Sequence, residues 1–389
     1  MLATENKLVS RAEQSRAEQS RAEQSRAEQS RAEQSRAEQS RAEQSRAVWI
    51  EFLRVLACFC VILLHVSTKG WKYAGVDSSV WPIYEIFNSI SRIGVCCFVM
   101  ISGALFLGNS RGKDLGKIYK KYIFRIAVLI AFWSCAYFIF RILNGELKIS
   151  GPKSTLGELL YGNYHLWYLW MIAGLYAITP ILNRIIEDNK LCKYLLILCA
   201  VGCWIPGMLE IIPALSDLAQ EVLQDKMYLF LPMGYTGYYI LGYYLYRDKI
   251  SNRRKHLLML AGILGMLYGV IGGILYGRHI GEPSQATYNN LTLNIAFYSA
   301  MIFVLFKDKV GAICFTEKTK NIICNLGSAT LGIYLVHVMF VQAFSDRFMV
   351  VTNYAYPFAS FPIAILVFVC GYIVTCIVKK IPFVGKWII

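Results

Sequence analysis

The chain contains no CxxC pair and no cysteines set beside histidines at zinc-binding spacing, although it has 12 cysteines. That absence excludes a zinc ribbon, a thioredoxin-like redox motif and a disulfide framework. Most of the cysteines instead fall inside apolar stretches, as with Cys58, Cys60, Cys96, Cys97, Cys135, Cys199, Cys203, Cys370 and Cys376. There they read as small lipophilic residues that pack between helices. Neither a metal site nor a permanently bound cofactor is expected. A cleavable leader pattern is also missing, because the first apolar segment is too long and lacks a small-residue cleavage site. Charge is scarce too, at 17% of residues against 56% hydrophobic, with a mean hydropathy of +0.44. A composition this apolar excludes an ordinary soluble domain.

Long apolar runs are what the chain has in their place. About 20 apolar residues cross a 30 Å hydrocarbon core. Stretches of that kind lie near 48–68, 83–107, 122–143, 166–184, 192–212, 227–246, 257–277, 288–307, 328–349 and 357–379. The expected fold is therefore all-α, a polytopic integral membrane protein with about ten transmembrane helices. Its charge of +15 is not spread evenly. Basic residues gather in alternate loops: Arg111, Lys113, Lys117, Lys120 and Lys121; then Arg184, Lys190 and Lys193; then Arg247, Lys249, Arg253, Arg254 and Lys255. Lys307, Lys309, Lys318, Lys320, Lys379, Lys380 and Lys386 continue the pattern, whereas Asp217, Glu221 and Asp225 mark an intervening loop. The positive-inside rule then puts both termini in the cytoplasm. The basic excess is a topology signal and carries no expectation of nucleic-acid binding.

Residues 1–47 read as a separate low-complexity tail. Seven perfect copies of Arg-Ala-Glu-Gln-Ser fill 11–45, and Arg46-Ala47 begins an eighth. The unit balances its charge and offers no aliphatic side chain larger than alanine, so it cannot bury a core. Its period of five matches neither the heptad nor the helical turn. One set of codons, AGA-GCA-GAG-CAG-AGC, spells a single pentanucleotide three times over. Such a tract gains or loses units by replication slippage and shifts the reading frame each time. The expectation is a phase-variation switch acting in DNA, with a plain peptide linker as the alternative.

Within the apolar spans, a few ionisable residues stand out. Arg54 and His65 share the first span, and an ionisable group at membrane depth costs roughly 2.5–3.5 kcal/mol, which suggests function. Eleven positions at 1.5 Å rise place them about 16 Å apart, at two ends of a path and not in one ion pair. Arg54 has a plainer alternative, snorkelling while paired with Glu51 one turn earlier. Arg92 lies inside span two and His337 inside span nine. Glu85, at the outer end of span two, is a candidate to orient His65, with a solvated helix end as the alternative. His165 opens span four beside Trp167, Tyr168 and Trp170, which also reads as an aromatic interface belt. Ser102-Gly103 permits close helix packing.

In order along the chain, four motifs resemble a known family. Glu51-Phe-Leu-Arg54, ten residues and His65 are similar to the opening helix of the membrane-bound acyltransferase type 3 family. The segment from Arg92 to Ser102-Gly103 resembles its Phe-rich stretch ending in Ser-Gly. His165-Leu-Trp167-Tyr168-Leu is similar to its His-Leu-Trp-Phe-Leu, and Gly332-Ile-Tyr334-Leu-Val-His337 to its Ile-Tyr-Leu-x-His. The resemblance covers about residues 48–380 and leans towards the O-acetyltransferases of surface polysaccharides, such as the enterobacterial common antigen enzyme. One departure is Tyr122-Ile-Phe-Arg125, where family members often carry Arg-x-x-Arg; Lys120 and Lys121 adjoin it.

What the resemblance implies is acetyl transfer from cytoplasmic acetyl-CoA to a hydroxyl of a bacterial surface glycan or its lipid-linked precursor, in the inner membrane. An alcohol needs a base as it attacks, and histidine suits that task. His65 is then the general base or an acetylated relay. Arg54, Lys120, Lys121 and Arg125 would hold the donor phosphates, while Arg92, His165, His337 and Glu85 are candidates for the acceptor side. A transporter or flippase of lipid-linked sugars is the rival reading, although such folds tend to show internal repeats, and none is evident. The membrane domain of a resistance-associated racemase, which resembles the same family and is fused to a soluble racemase domain, is a third.

Overall fold

The computed structural model describes residues 48–109, 112–147, 151–212, 215, 230–248, 250–382 and 385–389. The repeat tail and the acidic loop residues Asp217, Glu221 and Asp225 lie outside the described residues. Among those described, all regular secondary structure is helical. The long helices are α1 (Val48–Tyr73), α2 (Trp81–Phe106) and α3 (Leu115–Leu143), then, after a short α4 (Pro152–Tyr161), α5 (Tyr164–Ile185) and α6 (Asn189–Leu209). They continue with α7 (Phe230–Arg247), α8 (Asn252–Ile280), α9 (Leu293–Leu305), α10 (Glu317–Val351) and α11 (Pro357–Lys379), and a short α12 (Gly385–Ile388) follows.

Eight of these helices are long and apolar enough to cross a membrane. The other two expected spans are present as α7 and α9 but differ in kind. α7 is rich in tyrosine, from Tyr235 to Tyr246, and α9 covers only 13 residues before a π-helical segment, Phe306–Val310, that carries Lys307, Asp308 and Lys309. Both sit inside the bundle, where Tyr238, Tyr239, Ile295 and Phe303 are buried. A helix screened by its neighbours does not need a fully apolar surface.

Burial ranks the helices. The apolar windows of α1, α2 and α10 are 56%, 61% and 61% buried, whereas those of α8 and α11 are only 22% buried. The interior helices are thus the ones that carry Arg54, His65, Arg92 and His337. The outer pair turns Leu260, Leu264, Ile271, Ile365, Val369 and Ile373 outward, as lipid-facing helices should.

Close backbone packing replaces hydrophobic burial as the glue between helices in lipid. A methyl group at Gly103 of α2 would collide with the Tyr239 carbonyl of α7, and one at Gly242 of α7 would strike the Met100 backbone of α2. The expected close packing at Ser102-Gly103 is therefore real and reciprocal. α8 repeats the device with buried Gly262, Gly265, Gly269, Gly273 and Gly277. These sit at helical spacing and admit α9 at Asn294 and α2 at Ser89, Glu85 and Trp81.

The basic loops meet at one end. A cavity of about 980 Å³ there is lined by Trp49 at the start of α1, Asn109 and Lys113 before α3, Glu187 after α5, Arg247 at the end of α7 and Lys307 after α9. At the opposite end a cavity of about 570 Å³ is lined by Lys69, Asn144, Glu146, Gln342, Asp346 and Arg347.

Candidate functional site: a buried histidine cluster

α1, α5 and α10 each bring one histidine to a common point. The rings of His65 and His337 lie 5.2 Å apart, and those of His165 and His337 lie 5.3 Å apart. His165 and His337 are buried at 1% and 0% exposure, and the Nε2 atom of each lacks a hydrogen-bond partner. Buried polar atoms are rarely left unmatched, and unmatched ones are commonly functional. Sequence spacing gave no sign of this convergence, since 100 and 172 residues separate the three positions.

Local structure explains each placement. Gly162 adopts φ +65, and a side chain there would press on Ser134 Oγ, so glycine is required at this turn. The turn leads into a 3-10 segment, Tyr164–Leu166, which carries His165 inward at the head of α5. His165 is thus an interior residue, not part of an interface belt. Tyr334 and His337 are three apart on α10 and share a face. The Tyr334 hydroxyl donates to the His165 carbonyl, and Tyr137 of α3 donates to the Leu335 carbonyl at 2.8 Å. His337 Nδ1 lies 2.6 Å from the Tyr334 carbonyl, which can only accept, so the proton is on Nδ1. In the neutral ring that leaves Nε2 with a free lone pair. His165 Nδ1 stands 3.3 Å from Asn163 Oδ1.

A π-helical segment, Val341–Asp346, begins four residues after His337. Such segments often mark functional sites, and this one delivers Gln342 and Asp346 to the 570 Å³ cavity. Lys69, one turn beyond His65, joins the same cavity and pairs with Asp346 at 3.2 Å. The histidine cluster therefore stands one to two turns beneath a polar mouth.

Towards the basic end, aromatic hydroxyls lead from the cluster to Arg54. Tyr334 packs on Tyr168 at 5.5 Å, and Tyr168 and Tyr176 both lie near Ser102 and in the field of Arg54. Arg125 acts on Tyr176 as well. Arg54 pairs with Glu51 at 2.6 Å, as its i, i+3 spacing suggested, and its side chain keeps 29% of its exposure. Arg125 donates to the Ile389 carbonyl at 2.8 Å.

Lys120 and Lys121 are exposed on the π-helical segment Ile118–Ile123, and Lys121 lies over the Tyr122 ring at 5.8 Å. Asp114 caps that region by accepting from the Lys117 N–H, which holds its carboxyl below the usual range. Arg54 and Arg125 thus converge, whereas the 980 Å³ cavity is lined by Lys113, Arg247 and Lys307. Those three cations went unrecognised as site residues because they read only as loop charges.

Glu85 is not a solvated helix end. It is fully enclosed, accepting from Trp71 Nε1 and from the Tyr288 hydroxyl at 2.9 Å. Its partners are these two donors and not His65. Arg92 donates to Asn88 Oδ1 at 2.9 Å and lies over the Tyr288 ring. Arg92 and His65 line one small cavity of about 90 Å³. Among the described residues no group of His, Cys, Asp and Glu is arranged to hold a metal ion.

Residues 47–379 match the family model described as "Acyltransferase domain". An amino-acid racemase of Enterococcus faecalis is 23% identical over 236 residues, 56% of this chain and 32% of the racemase. The chain thus spans about a third of the length of that curated relative. No solved structure matches.

Proposed function

The chain belongs to the acyltransferase type 3 family, and from that premise we propose that it is an O-acetyltransferase of a bacterial inner membrane. It takes acetyl from cytoplasmic acetyl-CoA and places it on a hydroxyl of a surface glycan or its lipid-linked precursor. The observation that carries this reading is the buried histidine cluster, set between a cationic cavity at one end and a polar mouth at the other.

The donor enters from the basic end, which the positive-inside rule assigns to the cytoplasm. Arg54 and Arg125, with Lys113, Arg247 and Lys307 around the larger cavity, favour its phosphates. Lys120 and Lys121 add charge at the exposed rim. The acceptor enters through the mouth lined by Lys69, Gln342 and Asp346, whose mixed charge suits a hydroxyl-rich sugar.

His65 acts as general base. As the acceptor oxygen bonds to the thioester carbon, the hydroxyl proton passes to the imidazole; the carbon–sulfur bond breaks, and the thiolate leaves and takes up that proton. His337 supports this step, because its free Nε2 lone pair is available to the neighbouring His65 ring. Base catalysis of this kind contributes typically 10²–10⁴-fold. Expression of the gene is phase-variable through the repeat tract, which uniform pentanucleotide codons in the DNA would support and mixed synonymous codons would refute.

The test is transfer of labelled acetyl from acetyl-CoA by purified protein to membranes holding lipid-linked glycans. Base-labile label in the glycan with wild type, reduced by about 10²-fold or more in His65→Ala, supports the reading. Equal transfer by His65→Ala removes the base from its role. No transfer to any surface-glycan pool by folded wild type favours a transporter.

A further inference from the structure

A small cavity lies beside His65, and its lining is of mixed chemistry. Ser91, Arg92 and Asn290 give it polar groups, and Val61, Leu64, Val95 and Trp167 apolar ones. Two of the polar residues are tied down. Asn290 donates from Nδ2 to the Tyr235 hydroxyl at 3.0 Å, and its carbonyl accepts from the Tyr238 hydroxyl at 2.6 Å. Arg92 is fixed by Asn88 and by the Tyr288 ring.

Several polar atoms here are nevertheless unused. Ser91 Oγ, Arg92 Nε and Asn290 Oδ1 are buried without a hydrogen-bond partner, and Ser91 as a whole is 1% exposed. The first two are donors and the third an acceptor, and all three residues share the cavity with His65. Orphaned donors facing a partly apolar space fit a ligand with one oxygen and a short hydrocarbon end.

The volume narrows the choice. An apolar cavity of about 150 Å³ takes benzene, roughly 25 Å³ per heavy atom. At about 90 Å³, this cavity has room for about three or four heavy atoms on that scale. An acetyl group has three, a propionyl four and a butyryl five.

We propose that this cavity is the acyl pocket: Ser91 and Arg92 hold the thioester carbonyl oxygen, and Val61, Leu64, Val95 and Trp167 limit the acyl group to two or three carbons. The assignment rests on the acetyl-transfer reading and adds to it the residues that set chain length. Charge that develops on the carbonyl oxygen during attack meets donors already in position. Once the carbon–oxygen bond to the acceptor forms and the carbon–sulfur bond breaks, the acyl group leaves on the acceptor oxygen and the pocket is empty again.

The experiment compares acetyl-, propionyl- and butyryl-CoA as donors for purified full-length protein, with membranes holding lipid-linked glycans as acceptor and base-labile acyl label as the readout. One surplus methylene in an apolar pocket costs typically 10–200-fold in kcat/KM. Wild type is expected to use acetyl best and butyryl about 10-fold or more below it. Leu64→Ala is expected to raise the butyryl-to-acetyl ratio by about tenfold or more, and Val95→Ala supplies the same test should Leu64→Ala fail to give a monodisperse peak. Ser91→Ala is expected to lower kcat for all three donors by a common factor without changing their ratio. Transfer by wild type with the same donor ratio in both enlarged variants overturns the pocket but leaves the acetyl-transfer reading standing. Failure of wild type to transfer any of the three overturns that reading, and the pocket with it.

Discussion

Replacing Glu85 separates a fold-holding carboxylate from a substrate-binding one. The side chain is fully enclosed between α1, α2 and the segment before α9, and Oε2 accepts from both Trp71 Nε1 and the Tyr288 hydroxyl. Oε1 faces the backbone of α8 at Gly273, where a side chain would collide with it. Glu85→Ala leaves two buried donors without an acceptor. Each costs about 1–3 kcal/mol, so the loss is about 2–6 kcal/mol. Glu85→Gln keeps an oxygen for both donors and should lose no more than about 1–2 kcal/mol. At roughly 2 °C per kcal/mol for a chain of this size, Tm falls by about 4–12 °C for alanine and by no more than about 2–4 °C for glutamine. A thiol-reactive dye reads this directly, because Cys58, Cys60, Cys96, Cys97, Cys192, Cys199 and Cys203 are buried until unfolding. Equal Tm values for wild type and Glu85→Ala would refute the reasoning. If transfer activity vanished at that unchanged Tm, Glu85 would instead belong to the acceptor site.

Three further outcomes follow from the packing and from the cluster. Gly103→Ala and Gly242→Ala drive a methyl into the facing backbone and should abolish the monodisperse peak in size-exclusion chromatography. Gly174→Ala, with open space at its Cβ, should fold as well as wild type or gain up to about 1 kcal/mol. His337→Asn keeps a donor for the Tyr334 carbonyl but loses the Nε2 lone pair. Its kcat should fall about tenfold or more while Tm holds within about 2 °C, and the acid limb of its pH–rate profile should move. An unaltered kcat and profile would make His337 a packing residue.

The class of this protein was legible in the sequence because its causes are local. Twenty apolar residues in a row must satisfy their backbone within a helix, whatever their neighbours, and loop charges orient the helices one at a time. Arg54 and His65 declared themselves by the same local logic, as did the Arg54–Glu51 pair at one-turn spacing. Burial and convergence are properties of the assembled bundle, and the sequence did not reveal them. Glu85 reads as a helix-end carboxylate until Trp71 and Tyr288 close over it. His165 reads as part of an aromatic belt until the Gly162 turn carries it inward. α7 and α9 look like ordinary spans, yet their tyrosines and short length are tolerated only because other helices shield them from lipid. The meeting of His65, His165 and His337 depends on how α1, α5 and α10 pack, which no periodicity within one helix encodes.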